Sequence, residues 1–334
     1  MRAQVIHAHG AIDDIAFEHG FPEPVAGEGE VVLRVGACTL NYHDLFTLKG
    51  MPGIKVPMPM IMGIDVAGTV EGVGEGVEGW SIGDRVVVDP IERRSGRLLG
   101  EMMHGGLAEL VKVRAEQLIA IPDAMSFEVA ASIPCAYGTA YRMVVRRGAV
   151  AAGEKVLILG ASGGVGTCCV QLAKMAGAHV IVAASSDEKL ERLAELGADE
   201  GINYMKAEFH KEVYARHGKP RIAGGGGVDV IVNFTGGDTW VPSLRALTKG
   251  GRMLTCGATA GYDPQTDIRF IWTFEQTIIG SNGWSKEDVA ELIELTQEGR
   301  LAPVVSATWP LEDAREAFRA MERRQLFGKV AVVP

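Results

Sequence analysis

Short apolar runs dominate the first third of the chain, and glycine and proline residues separate them. Runs of this kind lie at residues 30–35, 65–73, 84–89 and 107–113. Few stretches before about Pro122 carry the apolar spacing of a helix. Short strand-like runs divided by turn residues are typical of a compact antiparallel β domain, which we therefore predict at the start of the chain.

The pattern changes at about Ser126, where buried-strand runs begin to alternate with amphipathic helical segments. The runs lie at residues 155–159, 179–183, 229–233 and 251–256, and the helical segments include 164–176 and 187–196. This alternation predicts βαβ units that form a parallel sheet. The tail has strand candidates at 276–280, 302–309 and 328–333 and helix candidates at 286–297 and 311–323. The pattern alone leaves open to which domain the tail belongs.

Composition narrows the class of protein. The chain has 334 residues, of which 47% are hydrophobic and 22% charged, which suits two folded domains and excludes a mainly disordered chain. No apolar run reaches the roughly 18 residues that span a bilayer, so we expect a soluble, cytoplasmic protein without a membrane partner. The net charge is −9 and the basic residues are scattered, which argues against a nucleic-acid partner. Five cysteines without CxxC spacing are expected to be reduced thiols.

A glycine-rich turn joins a buried strand to a helix in the second half of the chain. The strand candidate at 155–159 is followed at once by Gly160-Ala161-Ser162-Gly163-Gly164-Val165-Gly166 and then by an amphipathic stretch. Glycines let the backbone turn tightly and approach a pyrophosphate, whose charge meets free N–H groups at a helix N-terminus. We therefore predict dinucleotide binding by Gly160, Ser162, Gly163, Gly164, Val165 and Gly166.

The residues after the second strand of this unit indicate which dinucleotide binds. An NAD enzyme needs an acidic side chain there for the ribose hydroxyls, whereas this chain has Ala184-Ser185-Ser186. Hydroxyl groups and Lys189, one turn into the next helix, suit a 2′-phosphate. We predict NADP (NADPH) as the cofactor, with Ser185 and Lys189 at the phosphate. The alternative is that Asp187 accepts the ribose hydroxyls and Lys189 is an ordinary solvated residue.

Further segments carry the pattern of a known family. They are residues 24–35, residues 63–83 with Asp84-Arg85-Val86, Gly105-Gly106-Leu107-Ala108-Glu109, Gly160 to Gly166, Asn203-Tyr204 and Gly328-Lys329-Val330. Together they resemble the medium-chain dehydrogenase/reductase superfamily over essentially the whole chain. The resemblance implies an α/β protein with a chaperonin-10-like β domain, residues 1–125 and 300–334, and a Rossmann domain with a doubly wound parallel sheet, residues 126–299. It also implies a catalytic cleft between the domains and a last segment that returns to the β domain.

The presence or absence of zinc ligands indicates which branch of the superfamily the chain resembles. Zinc-dependent members are similar in carrying Cys-x-x-Asp, Gly-His-Glu and a later Cys, Glu or Asp as ligands. The matching segments here read Asn41-Tyr42-His43-Asp44 and Gly63-Ile64-Asp65, only Cys135 stands at a ligand position, and residues 89–103 lack the four-cysteine lobe. Asn41-Tyr42-His43-Asp44-Leu45 resembles instead the zinc-free branch, which includes NADPH:quinone reductases and enoyl reductases. We therefore predict no metal site.

In that branch hydride passes to a conjugated acceptor, and hydrogen-bond donors stabilise the oxygen on which charge develops. The candidates for this role are Asn41, Tyr42 and His43, and the branch motif implies that Asn41 orients the nicotinamide or the substrate carbonyl. Each has a structural alternative, namely a loop-capping Asn41, a core Tyr42 and a structurally satisfied His43. Asp44 is expected to pair with an arginine.

The remaining predicted site residues belong to the cofactor. The resemblance implies Tyr204, with Ser185 and Lys189, at the adenosine end. Lys329 is expected to reach a phosphate. Thr235, which follows the strand candidate at 229–233, completes the predicted cofactor-binding set.

These observations predict a zinc-independent, NADPH-dependent oxidoreductase that transfers hydride to a quinone or an α,β-unsaturated carbonyl compound, with a small molecule as its substrate. Two alternatives stay open. One is a zinc-dependent alcohol dehydrogenase that uses a rearranged ligand set such as His43, Asp65 and Cys135. The other is a non-catalytic NADPH-binding protein. The strand candidate at 276–280 would form a sheet edge that can pair across a two-fold axis, so we predict a homodimer.

Overall fold

The computed structural model describes all residues from Met1 to Pro334. The strands are β1 (Ala3–Ile6), β2 (Ala16–Glu18), β3 (Glu30–Thr39), β4 (Met60–Ile61), β5 (Asp65–Val73), β6 (Arg85–Val88), β7 (Ile91–Glu92), β8 (Arg97–Leu98), β9 (Leu110–Arg114), β10 (Leu118–Ala120), β11 (Lys155–Leu159), β12 (His179–Ala184), β13 (Glu200–Asn203), β14 (Val228–Val232), β15 (Leu247–Thr255), β16 (Thr277–Gly280), β17 (Val305–Pro310) and β18 (Lys329–Val333). The helices are α1 (Tyr42–Lys49), α2 (Phe127–Ala131), α3 (Gly138–Tyr141), α4 (Gly164–Met175), α5 (Asp187–Glu195), α6 (Phe209–His217), α7 (Trp240–Ala246), α8 (Ile268–Thr273), α9 (Lys286–Gln297) and α10 (Ala314–Glu322). None of these helices combines the length and the apolar content that crossing a bilayer requires.

The chain divides into two compact units, and their boundaries differ from the predicted ones at residues 126 and 299. The first unit comprises Met1–Ala136 and Lys286–Pro334, and the second comprises Tyr137–Ser285. Helix α2 belongs to the first unit because the guanidinium carbon of Arg85 lies 4.4 Å from the centre of the Phe127 ring. Helix α9 belongs there because the Lys286 ammonium donates a hydrogen bond to the Glu116 carbonyl at 2.6 Å. Arg85 and Glu116 lie far in sequence from the helices that they contact. The local hydrophobic pattern therefore could not predict to which unit these helices belong.

The first unit is built on a seven-stranded sheet. Its strand order is β10-β6-β5-β3-β18-β17, with β9 also paired to β3. The β3–β5, β5–β6, β3–β9, β10–β6 and β18–β3 pairs are antiparallel, and β17 runs parallel to β18. Apolar side chains of these strands form one buried cluster, and α10 adds Phe318 to it. The predicted chaperonin-10-like β domain is confirmed, and the last segment contributes β17 and β18 to its sheet.

The second unit is a doubly wound parallel sheet, as predicted. The strand order is β13-β12-β11-β14-β15-β16, and every neighbouring pair is parallel. The order reverses between β11 and β14, and ligands of such sheets bind where the carboxyl ends of the strands diverge. The last strand, β16, is an edge strand as predicted, while its pairing with a second copy stays a prediction.

Candidate active site

The glycine-rich turn lies at the carboxyl end of β11, beside the point where the strand order reverses. Gly160 has a φ of +68°, in the left-handed region that favours glycine. A Cβ on Gly166 would lie 2.4 Å from the Gly160 carbonyl oxygen, so only glycine lets α4 pack this closely on the turn. Gly163 occupies the N-cap of α4 with extended backbone. The free N–H groups at the start of the 12-residue helix α4 therefore lie next to a turn that carries no bulky side chains. Such a site fits a pyrophosphate.

The residues predicted at the adenosine end come together at the same edge of the sheet. Ser186 caps α5 by accepting a hydrogen bond from the Lys189 backbone N–H at 3.3 Å. The Tyr204 N–H donates to the Ala184 carbonyl at 3.1 Å, and this bond places its half-exposed side chain beside the end of β12. Thr235 Oγ1 lies 3.7 Å from where a Cβ of Gly160 would be. The fold thus gathers the predicted cofactor residues of the second unit.

Asp187, the alternative ribose acceptor, already has two partners in the protein. Its carboxylate accepts hydrogen bonds from Asn203 Nδ2 at 2.8 Å and from Lys206 Nζ at 2.5 Å. The same two bonds lower the pKa of Asp187. A ribose hydroxyl would compete with both donors, so these contacts favour the prediction of NADP over the alternative in which Asp187 binds the ribose.

Lys329 lies in the first unit, and its ammonium group is buried. Nζ donates to the Leu40 carbonyl at 2.8 Å, to Asn41 Oδ1 at 2.5 Å and to Asp65 Oδ2 at 3.1 Å. An ammonium group has three donors, and three protein oxygens accept from them. The structure therefore corrects the prediction that Lys329 reaches a cofactor phosphate: its role is to neutralise a carboxylate that is fully buried.

Asn41 is held inside the same cluster. Its Nδ2 donates to Asp65 Oδ2 at 2.9 Å, while its Oδ1 accepts from Lys329. The residue is only 8% exposed, and it precedes the first turn of α1. Because both polar atoms of the amide are bonded to protein groups, this placement supports a positioning role for Asn41 more than direct contact with a substrate oxygen.

The rearranged zinc ligand set of His43, Asp65 and Cys135 does not fit a metal ion. The Lys329 ammonium already supplies the positive charge beside Asp65, and the Cys135 N–H donates to Asp65 Oδ1 at 2.9 Å. Ile64 is fully buried and offers no ligand atom, and the Asn41 amide oxygen accepts from Lys329. We derive no zinc-dependent step from this cluster.

His43 differs from its neighbours because its ring is partly exposed and hydrogen-bonded to a buried acid. Its Nε2 lies 2.5 Å from Oε2 of Glu101, whose side chain is 4% exposed, whereas the His43 side chain is 32% exposed. Burial disfavours the charged imidazole, but the hydrogen bond and charge of Glu101, with the charge of Asp44, outweigh it and raise the pKa of His43. The charged form of His43 is therefore favoured, and its ring is partly exposed while Nε2 faces Glu101.

Tyr42 and Asp44, on either side of His43, have structural contacts. The Tyr42 hydroxyl donates to the Met321 carbonyl at 3.2 Å, and its ring packs against the apolar core of the first unit. The expected arginine partner of Asp44 is wrong: Asp44 Oδ2 accepts from the Asn41 backbone N–H at 2.7 Å, and its Oδ1 is buried without a hydrogen-bond partner. Burial raises the pKa of Asp44 to about 6.

Asp44 makes stability depend on pH. Its native pKa lies above the unfolded value of about 3.9, so the protonated carboxyl stabilises the fold, and this contribution is lost as the pH rises through about 6. We expect Asp44→Asn, which keeps the acceptor for Asn41, to gain about 3 kcal/mol over the wild type between roughly pH 4 and 7.5, measured by urea unfolding. Asp14→Asn is the matched control, because Asp14 accepts the corresponding Ala11 N–H at 2.7 Å but is exposed. Parallel pH profiles of the wild type and Asp44→Asn would contradict the expectation.

Sequence reasoning missed Glu101 and the Asp65–Lys329 ion pair. Glu101 is 58 residues from His43, and Lys329 is 264 residues from Asp65. No periodic pattern connects residues so far apart. The only available signal was that Asp65 and Lys329 stand inside the two family-like segments Gly63-Ile64-Asp65 and Gly328-Lys329-Val330.

Comparisons with known proteins agree with both units. The family model for the alcohol dehydrogenase GroES-like domain matches residues 27–123, and that for zinc-binding dehydrogenases matches residues 164–298. The acryloyl-coenzyme A reductase of Sulfurisphaera tokodaii is 32% identical over 333 residues, which cover 94% of this chain and 95% of that protein.

Two solved structures extend the comparison. One, described as an NAD-dependent alcohol dehydrogenase, is 36% identical with a TM-score of 0.92, and the match covers 100% of both chains. The other is a 2-octenoyl-CoA carboxylase reductase in complex with NADP and 2-octenoyl-CoA. It is 28% identical with a TM-score of 0.85, and the match covers 96% of this chain and 82% of that one.

Proposed function

The chain is an oxidoreductase of the medium-chain dehydrogenase/reductase superfamily, and we propose that it is an NADPH-dependent reductase of α,β-unsaturated carbonyl compounds, with enoyl thioesters as the first class to test. The observation that carries the proposal is the partly exposed His43 bonded to the buried Glu101, a proton source that needs no metal. The acryloyl-coenzyme A reductase and the 2-octenoyl-CoA complex support this substrate class.

The second unit supplies the cofactor site in this proposal. The N–H groups at the start of α4 bind the pyrophosphate, while Ser185 and Lys189 bind the 2′-phosphate. Tyr204 and Thr235 border the same edge of the sheet. When bound, NADPH supplies the hydride for reduction.

The first unit supplies the proton. Reduction of a carbon–carbon double bond adds one hydride and one proton, and the negative charge that develops on the substrate carbonyl must be stabilised until the proton arrives. The charged His43 ring carries a proton on each nitrogen: the Nε2 proton is bonded to Glu101, and the Nδ1 proton is the one donated to the substrate, while Glu101 keeps the ring charged and oriented. Asn41, Asp65 and Lys329 fix the start of α1, so they act as positioning residues for His43.

A substrate panel tests the proposal. The full chain is assayed with NADPH against enoyl-CoA thioesters, enals, enones and quinones, and with NADP and alcohols in the reverse direction. The largest kcat/KM is expected for an enoyl thioester or an enone. A preference for quinones would reassign the acceptor, and turnover of alcohols that a chelator abolishes would favour the zinc alternative. Absence of turnover with every acceptor would favour a non-catalytic NADPH-binding protein.

Cofactor preference tests the role of Lys189. Hydrogen bonds to a charged group contribute about 1.5–3 kcal/mol, so we expect NADPH to bind roughly ten- to hundredfold more tightly than NADH. Lys189→Glu should remove most of that preference, because its carboxylate would face the 2′-phosphate. Titration of both cofactors measures the effect, and Lys211→Glu, an exposed residue of α6, is the control. Equal dissociation constants for the wild type would contradict the expectation and match the NAD dependence of one similar structure.

A further inference from the structure

A second cluster of ligand-type side chains lies in the second unit, at the edge of the sheet opposite the glycine-rich turn. His179 is the first residue of β12, Glu200 is the first residue of β13, and His217 is the last residue of α6. One nitrogen of each histidine and one carboxylate oxygen of Glu200 all lie within 4.8 Å of one another. The parallel register brings the amino ends of the two strands together, so the backbone fixes this meeting point.

The distances approach those of a coordinated metal. Glu200 Oε1 lies 2.6 Å from His179 Nε2 and 3.3 Å from His217 Nε2. Tetrahedral Zn²⁺ bonds of about 2.0–2.1 Å place neighbouring ligand atoms about 3.3 Å apart. The distance from Glu200 Oε1 to His217 Nε2 already has this value. His179 Nε2 would have to move away from Glu200 Oε1 by less than about 1 Å.

His217 gives an independent reason to expect a ligand. Its side chain is nine-tenths buried, and its Nε2, 3.3 Å from Glu200 Oε1, makes no well-formed hydrogen bond. A buried ring nitrogen without a partner costs free energy that a metal bond would recover. His217 also lines a surface cavity of about 390 Å³.

Neighbouring groups orient the ligands. Asp199 Oδ2 lies 3.8 Å from His179 Nδ1, the ring nitrogen that does not face Glu200, and the Val180 N–H holds that carboxylate at 2.8 Å. Arg216 lies 3.5 Å from Glu200 Oε2 and leaves Oε1 to the two histidines. Such outer partners are typical of metal-bound histidines and carboxylates.

We propose that His179, Glu200 and His217 bind a divalent transition-metal ion, with Zn²⁺ as the best fit, and that the ion ties the ends of β12, β13 and α6 together. Two imidazoles and one carboxylate suit Zn²⁺ and disfavour Mg²⁺, which prefers oxygen ligands. All three ligands belong to the second unit, and the role of the ion is to stabilise that unit.

Metal binding by the full chain tests the proposal. Protein stripped with a chelator is dialysed against Zn²⁺ or Mg²⁺, and metal content and Tm are measured. We expect about one Zn²⁺ per chain and a Tm that rises with Zn²⁺ but not with Mg²⁺. His217→Ala, and His179→Gln as the milder variant at a more exposed position, should each weaken Zn²⁺ binding by at least about tenfold.

Two controls make the result specific to this cluster. His210→Ala removes a histidine of similar burial from the same helix and should keep the Zn²⁺-dependent rise in Tm. Cys135→Ala removes the family-like ligand position and should also keep it. Failure of the wild type to retain Zn²⁺, or retention by both His217→Ala and His179→Gln, would overturn the proposal. Loss of Zn²⁺ only in Cys135→Ala would overturn it too, because the metal would then lie in the first unit.

Discussion

Replacing Lys329 with methionine is expected to destabilise the protein by about 3–5 kcal/mol, the cost of leaving a buried carboxylate without its counter-charge. Asp65 is fully buried, and the Lys329 side chain is 3% exposed. Removing the ammonium also leaves the Leu40 carbonyl and the Asn41 amide oxygen without their donor. Equilibrium unfolding in urea measures the effect.

Two further variants identify the cause of that loss. Lys329→Met combined with Asp65→Asn should recover most of the stability, because the buried charge is gone and an amide oxygen can still accept from the Cys135 N–H. Lys49→Met breaks an exposed ion pair with Glu322, 2.7 Å apart, and should cost under about 1 kcal/mol. If Lys329→Met costs no more than Lys49→Met, the buried pair is not what holds this region together.

Replacing His43 with glutamine is expected to lower kcat for enone or enoyl thioester reduction by about 10²–10⁴-fold, the usual contribution of a general acid. Glutamine keeps a hydrogen-bond donor for Glu101 but cannot deliver a proton. The matched control is His7→Gln, which breaks an exposed histidine–glutamate pair 2.7 Å apart in the same unit. A loss of about tenfold or less with unchanged NADPH affinity would return His43 to a structural role.

Glu101→Gln separates the proton role of the pair from a packing role. Glu101 raises the pKa of His43, and a general acid works in its protonated form, so the wild-type rate should fall as the pH rises through that raised pKa. Without the carboxylate the fall should move to lower pH. A purely structural Glu101 would instead lower the rate by the same factor at every pH.

Local sequence was sufficient to predict the strand–turn–helix arrangement at which we propose that the cofactor binds. The turn from Gly160 to Gly166, the strands on either side of it and Ser185 follow one another in the chain, so period and glycine placement predicted their arrangement. Side-chain contacts between distant segments were not predictable in this way. Three such contacts depend on how separate strands and helices meet. They are the packing of Phe127 on Arg85, the His43–Glu101 hydrogen bond and the cluster of His179, Glu200 and His217.

Residues 41–44 show that a sequence motif does not determine the chemical role of each of its residues. The motif singled out this segment, but Asn41 and Tyr42 have their polar atoms bonded to groups from the far end of the chain, at Lys329 and Met321. Tyr42 and His43 are both partly exposed, but the His43 ring bonds to an acid, Glu101, whereas the Tyr42 hydroxyl bonds to a carbonyl. The choice among the three depended on burial and on hydrogen-bond partners, which a four-residue pattern cannot report.

The central place of β18 also sets an order of events during synthesis on the ribosome. This strand lies between β3 and β17, where Ala331 pairs with Thr39 and Val332 with Cys38. The second unit is one continuous segment and can fold as soon as residues 137–285 have emerged. The first unit begins earlier, but the Cys38–Thr39 end of β3 lacks its partner strand until residues 329–333 arrive, because β9 pairs only with residues 30–34. Nascent chains that stall in this interval expose that end of β3, which favours pairing with other chains.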